Sequence, residues 1–96
     1  MQVGEIMAFK LVNGDEVVGK VESFTDTEYI LNRPCVVVGG AKSIGLMSAM
    51  FSLDVDTAVT VRVEHVMMQC QPVKQMRDHY ISVTTGTQPV TGEVVI

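Results

Sequence analysis

Two cysteines, two histidines and one close pair of aspartates are the side chains best suited to chemistry, and their spacing decides what each can do. A structural metal site needs several Cys or His ligands at regular intervals. Cys35, Cys70, His65 and His79 are scattered instead. Asp54 and Asp56 stand two residues apart in an apparent turn. They would hold a hard cation only if more oxygens converged on them, and a solvated turn is the simpler reading. No Ser, Cys or Thr has an evident His and acid partner, so the chain reads as non-enzymatic, with no catalytic residue, metal or cofactor. Each cysteine sits in an apolar, strand-like run, which points to two buried thiols in a reducing compartment. A disulfide between neighbouring strands would need geometry that spacing alone does not give. Lys42-Ser43 lies in the Gly-rich stretch Gly39 to Gly45. A phosphate loop would need a Gly directly before Lys42 and its first Gly where Val36 stands, so the stretch reads as a connection.

Composition narrows the partners. With 96 residues the chain makes one domain, with a modest core that gains from oligomerisation. Val, Met, Ile and Leu fill that core and Trp is absent, a mix that suits strands. The formal charge of −4 argues against a dedicated nucleic-acid binder, because such affinity comes largely from Lys and Arg on phosphates. A ring can still gather a few cations on one rim. No apolar run is long enough to span a membrane, and no basic segment followed by an apolar stretch opens the chain. The expected location is cytoplasmic.

The elements that would position these residues begin with Ile6 to Pro34. Met7, Phe9 and Leu11 alternate with Ile6, Ala8 and Lys10, as in a half-buried strand. Asn13-Gly14 then signals a hairpin, since both residues tolerate the positive φ of a type I′ turn. Val17, Gly19 and Val21 continue the alternation, and a glycine within a strand marks a bend or a close backbone approach. Thr25 to Glu28 is a polar turn, and a third strand from Tyr29 is interrupted at Asn32-Arg33-Pro34. Pro34 belongs at an edge, a bulge or a strand end. Leu46 to Leu53 and Ala58 to Val63 are strand candidates around an Asp54–Thr57 turn, forming one long bent element or two. Glu64-His65 turns into a last strand, Val66 to Gln71. From Pro72 the period changes: Val73, Met76, Tyr80 and Val83 recur at helical steps, predicting a helix over 72–82 with Pro72 in its first turn.

The run Leu11-Val12-Asn13-Gly14, followed by Val17, Gly19, Val21, Phe24, Asp26 and Leu31, resembles the first signature segment of the Sm-like (LSm, Hfq) proteins. Within that family it is similar to the small Sm-like proteins of marine phages. The resemblance implies a mainly β fold: a small, strongly bent five-stranded antiparallel barrel of Sm-like or SH3-like type. The family's helix precedes its first strand, whereas here only Met1 to Glu5 do, so that helix is either absent or moved to the C-terminus. Residues 1–86 would form the barrel domain with its helix, and 87–96 a flexible or strand-adding tail.

By the same resemblance a nucleotide pocket forms where two turns meet. The first is Asp26-Thr27-Glu28-Tyr29. Asp26 fits with one residue inserted, and Tyr29 takes the position that stacks on a base. Ile30 replaces the Asn that usually reads the base edge. In the second turn Arg62 aligns with the family's Arg, leaving Val63 where Gly is expected. Alternatively Glu64-His65 aligns with a Lys-His pair, with Glu in place of the cation. The candidate nucleic-acid-binding residues are therefore Asp26, Thr27, Tyr29, Arg62 and His65. The plain structural readings are that Tyr29 is a half-buried strand aromatic and that Arg62 pairs with Glu64, Glu22 or another acid. The implied function is a homo-oligomeric ring, joined by strand edges, that binds single-stranded RNA or DNA in processing or regulation. The alternative is a structural or adaptor ring that binds protein without nucleic acid. In either case the cytoplasm would be that of a bacterial host if a phage encodes the chain.

Overall fold

Met7 and Phe9 turn to one face of their strand and Ile6 and Ala8 to the other, and all four are buried. A strand buried on both faces lies between two layers. Met7 and Phe9 join Val17, Val21, Tyr29 and Leu31 inside the curled sheet. Ile6 and Ala8 join Val18, Cys35 and Leu46 under three residues of a helix, Met76, Tyr80 and Val83. The computed structural model describes residues 1–39, 43–50 and 57–85, with the backbone of Val94 and Val95.

Six antiparallel strands form one sheet: β1 (Ile6–Leu11), β2 (Glu16–Phe24), β3 (Glu28–Gly39), β4 (Ile44–Ser48), β5 (Ala58–Arg62) and β6 (Val66–Cys70). A 3-10 turn, Val63–His65, joins β5 to β6, and helix α1 (Lys74–Thr85) follows. A two-residue strand, β7 (Val94–Val95), pairs with Gly45 and Leu46 of β4. β1 lies between β6 and β2, and β2 pairs with β3. The mainly β sheet with one C-terminal helix is as expected, but the strand count is not. β4 and β5 are separate strands on one line along β3, pairing with its second and first halves respectively. Among the described residues no ladder joins β5 to β6, so the barrel is left open there.

The line breaks opposite Arg33 and Pro34. Between the pairs Val18↔Cys35 and Lys20↔Asn32, β3 uses one more residue than β2, which is a bulge. Arg33 takes a left-handed φ of 49°, Pro34 has no N–H to give the ladder, and the Pro34 carbonyl accepts the Ala49 N–H (3.0 Å). This bulge lies opposite Gly19, where a Cβ would stand 3.5 Å from the Pro34 Cα, the close backbone approach that a strand glycine marks. Gly19 has no positive φ, and a Cβ there would meet the Leu31 side chain at 3.4 Å, the edge of ordinary contact.

The first hairpin also departs from the expected turn. Only Gly14 has positive φ (96°). The Gly14 N–H closes on the Leu11 carbonyl (2.9 Å), and the Leu11 N–H on that of Asp15 (2.8 Å). This is the three-residue hairpin loop in which one left-handed glycine restores the register. Asn13 acts through its side chain instead, its Oδ1 accepting the Asp15 N–H at 3.0 Å.

Helix α1 starts two residues after Pro72 and runs past Ser82 to Thr85. The Val73 carbonyl accepts the Arg77 N–H (3.0 Å), so Val73 stands at the boundary. Its side chain is 73% exposed, outside the apolar face predicted for it. Met76, Tyr80 and Val83 do form that face, each worth roughly 1.5–3 kcal/mol on full burial. At the far end the Arg33 guanidinium donates to the Thr84 carbonyl, satisfying one of the acceptors a helix terminus leaves open. The end of the Leu46–Leu53 strand candidate, Asp54 and Asp56 of the turn, Lys42 and most of the tail lie outside the described residues.

Candidate functional site

Backbone hydrogen bonds join three turns through the 3-10 turn between β5 and β6. In the first, the Thr25 hydroxyl accepts the N–H groups of Thr27 (3.3 Å) and Glu28 (3.1 Å), and the Thr25 N–H reaches the Glu28 carbonyl (2.8 Å). This Thr-anchored turn leaves Asp26 and Thr27 exposed at its tip. The second is the 3-10 turn, whose Val63 N–H donates to the Thr27 carbonyl at 2.9 Å. Arg62, just before it, lies directly across from Glu28 in the β3–β5 ladder. The third is the Val12–Gly14 hairpin loop, whose Val12 N–H donates to the His65 carbonyl at 2.8 Å.

The structure thus brings Asp26, Thr27 and Arg62 together around one backbone contact. His65 sits at the other end of the 3-10 turn, beside the hairpin loop. Arg62 is held by its neighbour: Nε donates to Glu64 Oε1 at 3.0 Å, with both side chains more than half exposed. Such an exposed pair is worth little, about 0–1 kcal/mol. Asp26, Glu28 and Glu64 together give this rim three carboxylates around one guanidinium.

Tyr29 belongs to the core. It is 9% exposed, its ring lies 5.3 Å from that of Phe9, and its hydroxyl donates to Gln69 Oε1 at 2.7 Å. No open ring face is left there for a base. The aromatic at the rim is Phe24, 42% exposed and directly opposite Tyr29 in the β2–β3 ladder. Sequence reasoning passed over Phe24 as the last residue of a strand. As ladder partners the two share a face, and what separates them is position: Phe24 closes β2 beside the exposed turn, while Tyr29 packs on Phe9.

The cysteines are free and differ in setting. Cys35 is buried against α1, where desolvation pushes its thiol up to about 12. Cys70, expected inside, is exposed on β6. That strand, Val66–Cys70, also exposes Met67 and Met68, at 61% and 64%, and among the described residues it pairs only with β1. Gln69 alone of its last four residues turns a polar group inward, to Tyr29. A groove of about 450 Å³ runs along this edge, lined by Lys10, Glu16, Met68 and Cys70 among others.

Among the described residues no three His, Cys, Asp or Glu side chains converge as a metal site, and no helix is long and apolar enough to cross a membrane. No protein-family model matches the chain, and no curated protein sequence matches it. Fold and site together define a class: a small, bent antiparallel sheet with a C-terminal helix, a turn-built polar rim and an exposed apolar edge strand.

Proposed function

We propose that the chain is an Sm-like ring protein that binds single-stranded RNA, or DNA, across the rim made by Phe24 to Glu28 and Arg62 to His65. The observation that carries this reading is the 2.9 Å bond from the Val63 N–H to the Thr27 carbonyl. It joins the two turns that the Sm-like resemblance assigns to one nucleotide pocket. In this chain Phe24 offers the stacking face, and Arg62 and His65 the polar contacts. Subunits join through β6, whose outer edge and two exposed methionines suit a neighbour's strand. A head-to-tail contact of that kind closes into a ring when its rotation permits. Two free thiols fit a cytoplasmic location, that of a bacterial host if a phage carries the gene.

The test is fluorescence anisotropy with labelled U-rich and A-rich oligonucleotides, paired with light scattering on a sizing column. Saturable binding that weakens as salt rises, by particles several times the mass of one chain, is the expected result. Absence of binding at low salt sinks the nucleic-acid reading.

One observation favours a second reading, an adaptor ring that binds protein. Arg62 is already paired with Glu64, and Asp26 and Glu28 add negative charge beside it. A phosphate approaching this rim meets more repulsion than attraction. Recovery of polypeptides without nuclease-sensitive material in a pull-down would select this reading.

A further inference from the structure

The outer edge of β4 is already occupied. Its Gly45 and Leu46 pair with Val95 and Val94 from the far end of the chain. Both β4 residues are buried, and a buried strand edge leaves backbone groups that need a partner. The Val-Val pair that meets this need is strongly strand-forming. Eight residues separate Thr85 from Val94 in the sequence. A connection of that length can reach roughly 30 Å when extended. The longest dimension of the molecule is 35 Å. A connection this long exceeds the two shorter dimensions, 28 and 26 Å, and so suffices to carry the strand to a copy packed alongside.

We infer that Val94–Val95 is an exchangeable strand: the β4 edge at Gly45–Leu46 accepts these residues from a second copy of this chain. Exchange preserves every hydrogen bond of the ladder, because donor and acceptor are the same groups in both arrangements. Only the effective concentration of the strand decides between them. Rising protein concentration therefore drives linkage between subunits. This contact uses the β4 edge, at the opposite end of the sheet order from β6. It thus adds a second, independent link to the assembly proposed above.

Sedimentation velocity over a wide concentration range tests it on the full chain. Met68→Lys places a charge on the β6 edge, and Val95→Pro removes a donor from the β7 strand. The Met68→Lys chain is expected to keep a concentration-dependent associated species. Adding Val95→Pro should raise the concentration needed for that species at least tenfold. A synthetic peptide of residues 91–96, added in excess, should disperse it without any change to the chain. If Met68→Lys alone leaves only monomer, or if neither Val95→Pro nor the peptide changes the mass, exchange is overturned. Loss of assembly with Met68→Lys alone leaves the β6 ring standing. Assembly that ignores Met68→Lys but vanishes with Val95→Pro removes the β6 contact and keeps exchange.

Discussion

The Tyr80 hydroxyl fills a missing rung of the β2–β3 ladder by accepting the Lys20 N–H at 3.1 Å. It donates in turn to the Asn32 carbonyl at 2.7 Å, so the pair Lys20↔Asn32 is bridged through a helix side chain. The bulge at Arg33–Pro34 opens this gap, and α1 closes it. Tyr80→Phe keeps the packing but leaves a part-buried donor and acceptor unmet. The expected loss is about 1–3 kcal/mol in urea unfolding, with little change in the slope of the transition. A loss under half that lower bound would mean that water reaches the bulge.

Phe24 and Tyr29 face each other across β2 and β3 but should behave oppositely when truncated. Tyr29→Ala removes a core ring and is expected to cost about 3–5 kcal/mol. Any binding defect it shows therefore reports on folding. Phe24→Ala should change stability by less than about 1 kcal/mol, as expected of an exposed position. On the nucleic-acid reading it should weaken oligonucleotide binding about five- to a hundredfold, the equivalent of one lost stack. Unaltered anisotropy titrations would remove Phe24 from the site.

Glu64 competes with phosphate for Arg62. Glu64→Gln frees the guanidinium and lowers the negative charge of the rim. Oligonucleotide affinity should rise severalfold at low salt and converge with the parent at high salt, because screening erases the difference. If affinity falls, the Arg62–Glu64 pair shapes the rim, and its neutralisation is not the obstacle.

Burial lifts the Cys35 thiol from its ordinary 9.0 to about 12, and it raises Tyr80 as well. Between these limits the unfolded chain sheds the Cys35 proton while the folded chain keeps it. The unfolded state then binds fewer protons, so stability falls as pH rises from about 9 to about 12. Unfolding midpoints should drop across that window, and Cys35→Ala should flatten part of the slope. At neutral pH a maleimide should label Cys70 quickly and Cys35 only after denaturation, as read by mass spectrometry.

Much of the architecture is local and therefore legible in the residues themselves. Alternation in 6–11 and 16–24, the Asn13-Gly14 turn signal and the helical spacing of Met76, Tyr80 and Val83 each depend on neighbours within a few positions. Periodicity and turn chemistry act at that range, and they place the first hairpin and α1 to within a few residues, whereas the Leu46–Leu53 candidate already stops at Ser48. The site was less legible. The sequence names Asp26, Thr27 and Arg62, and the ladder between β3 and β5 sets Arg62 opposite Glu28. Which aromatic shows its face is decided elsewhere. Phe24 and Tyr29 are ladder partners, yet Phe9 covers Tyr29 while Phe24, at the end of β2, is left at the rim. Likewise Cys35 and Cys70 occupy similar apolar runs, yet α1 covers one while the other lies on an open edge strand. Burial is a property of what packs against a residue, and the packing partners here come from far along the chain. The sequence by itself determined the elements and their order; only the tertiary structure decided which side chains those elements hide.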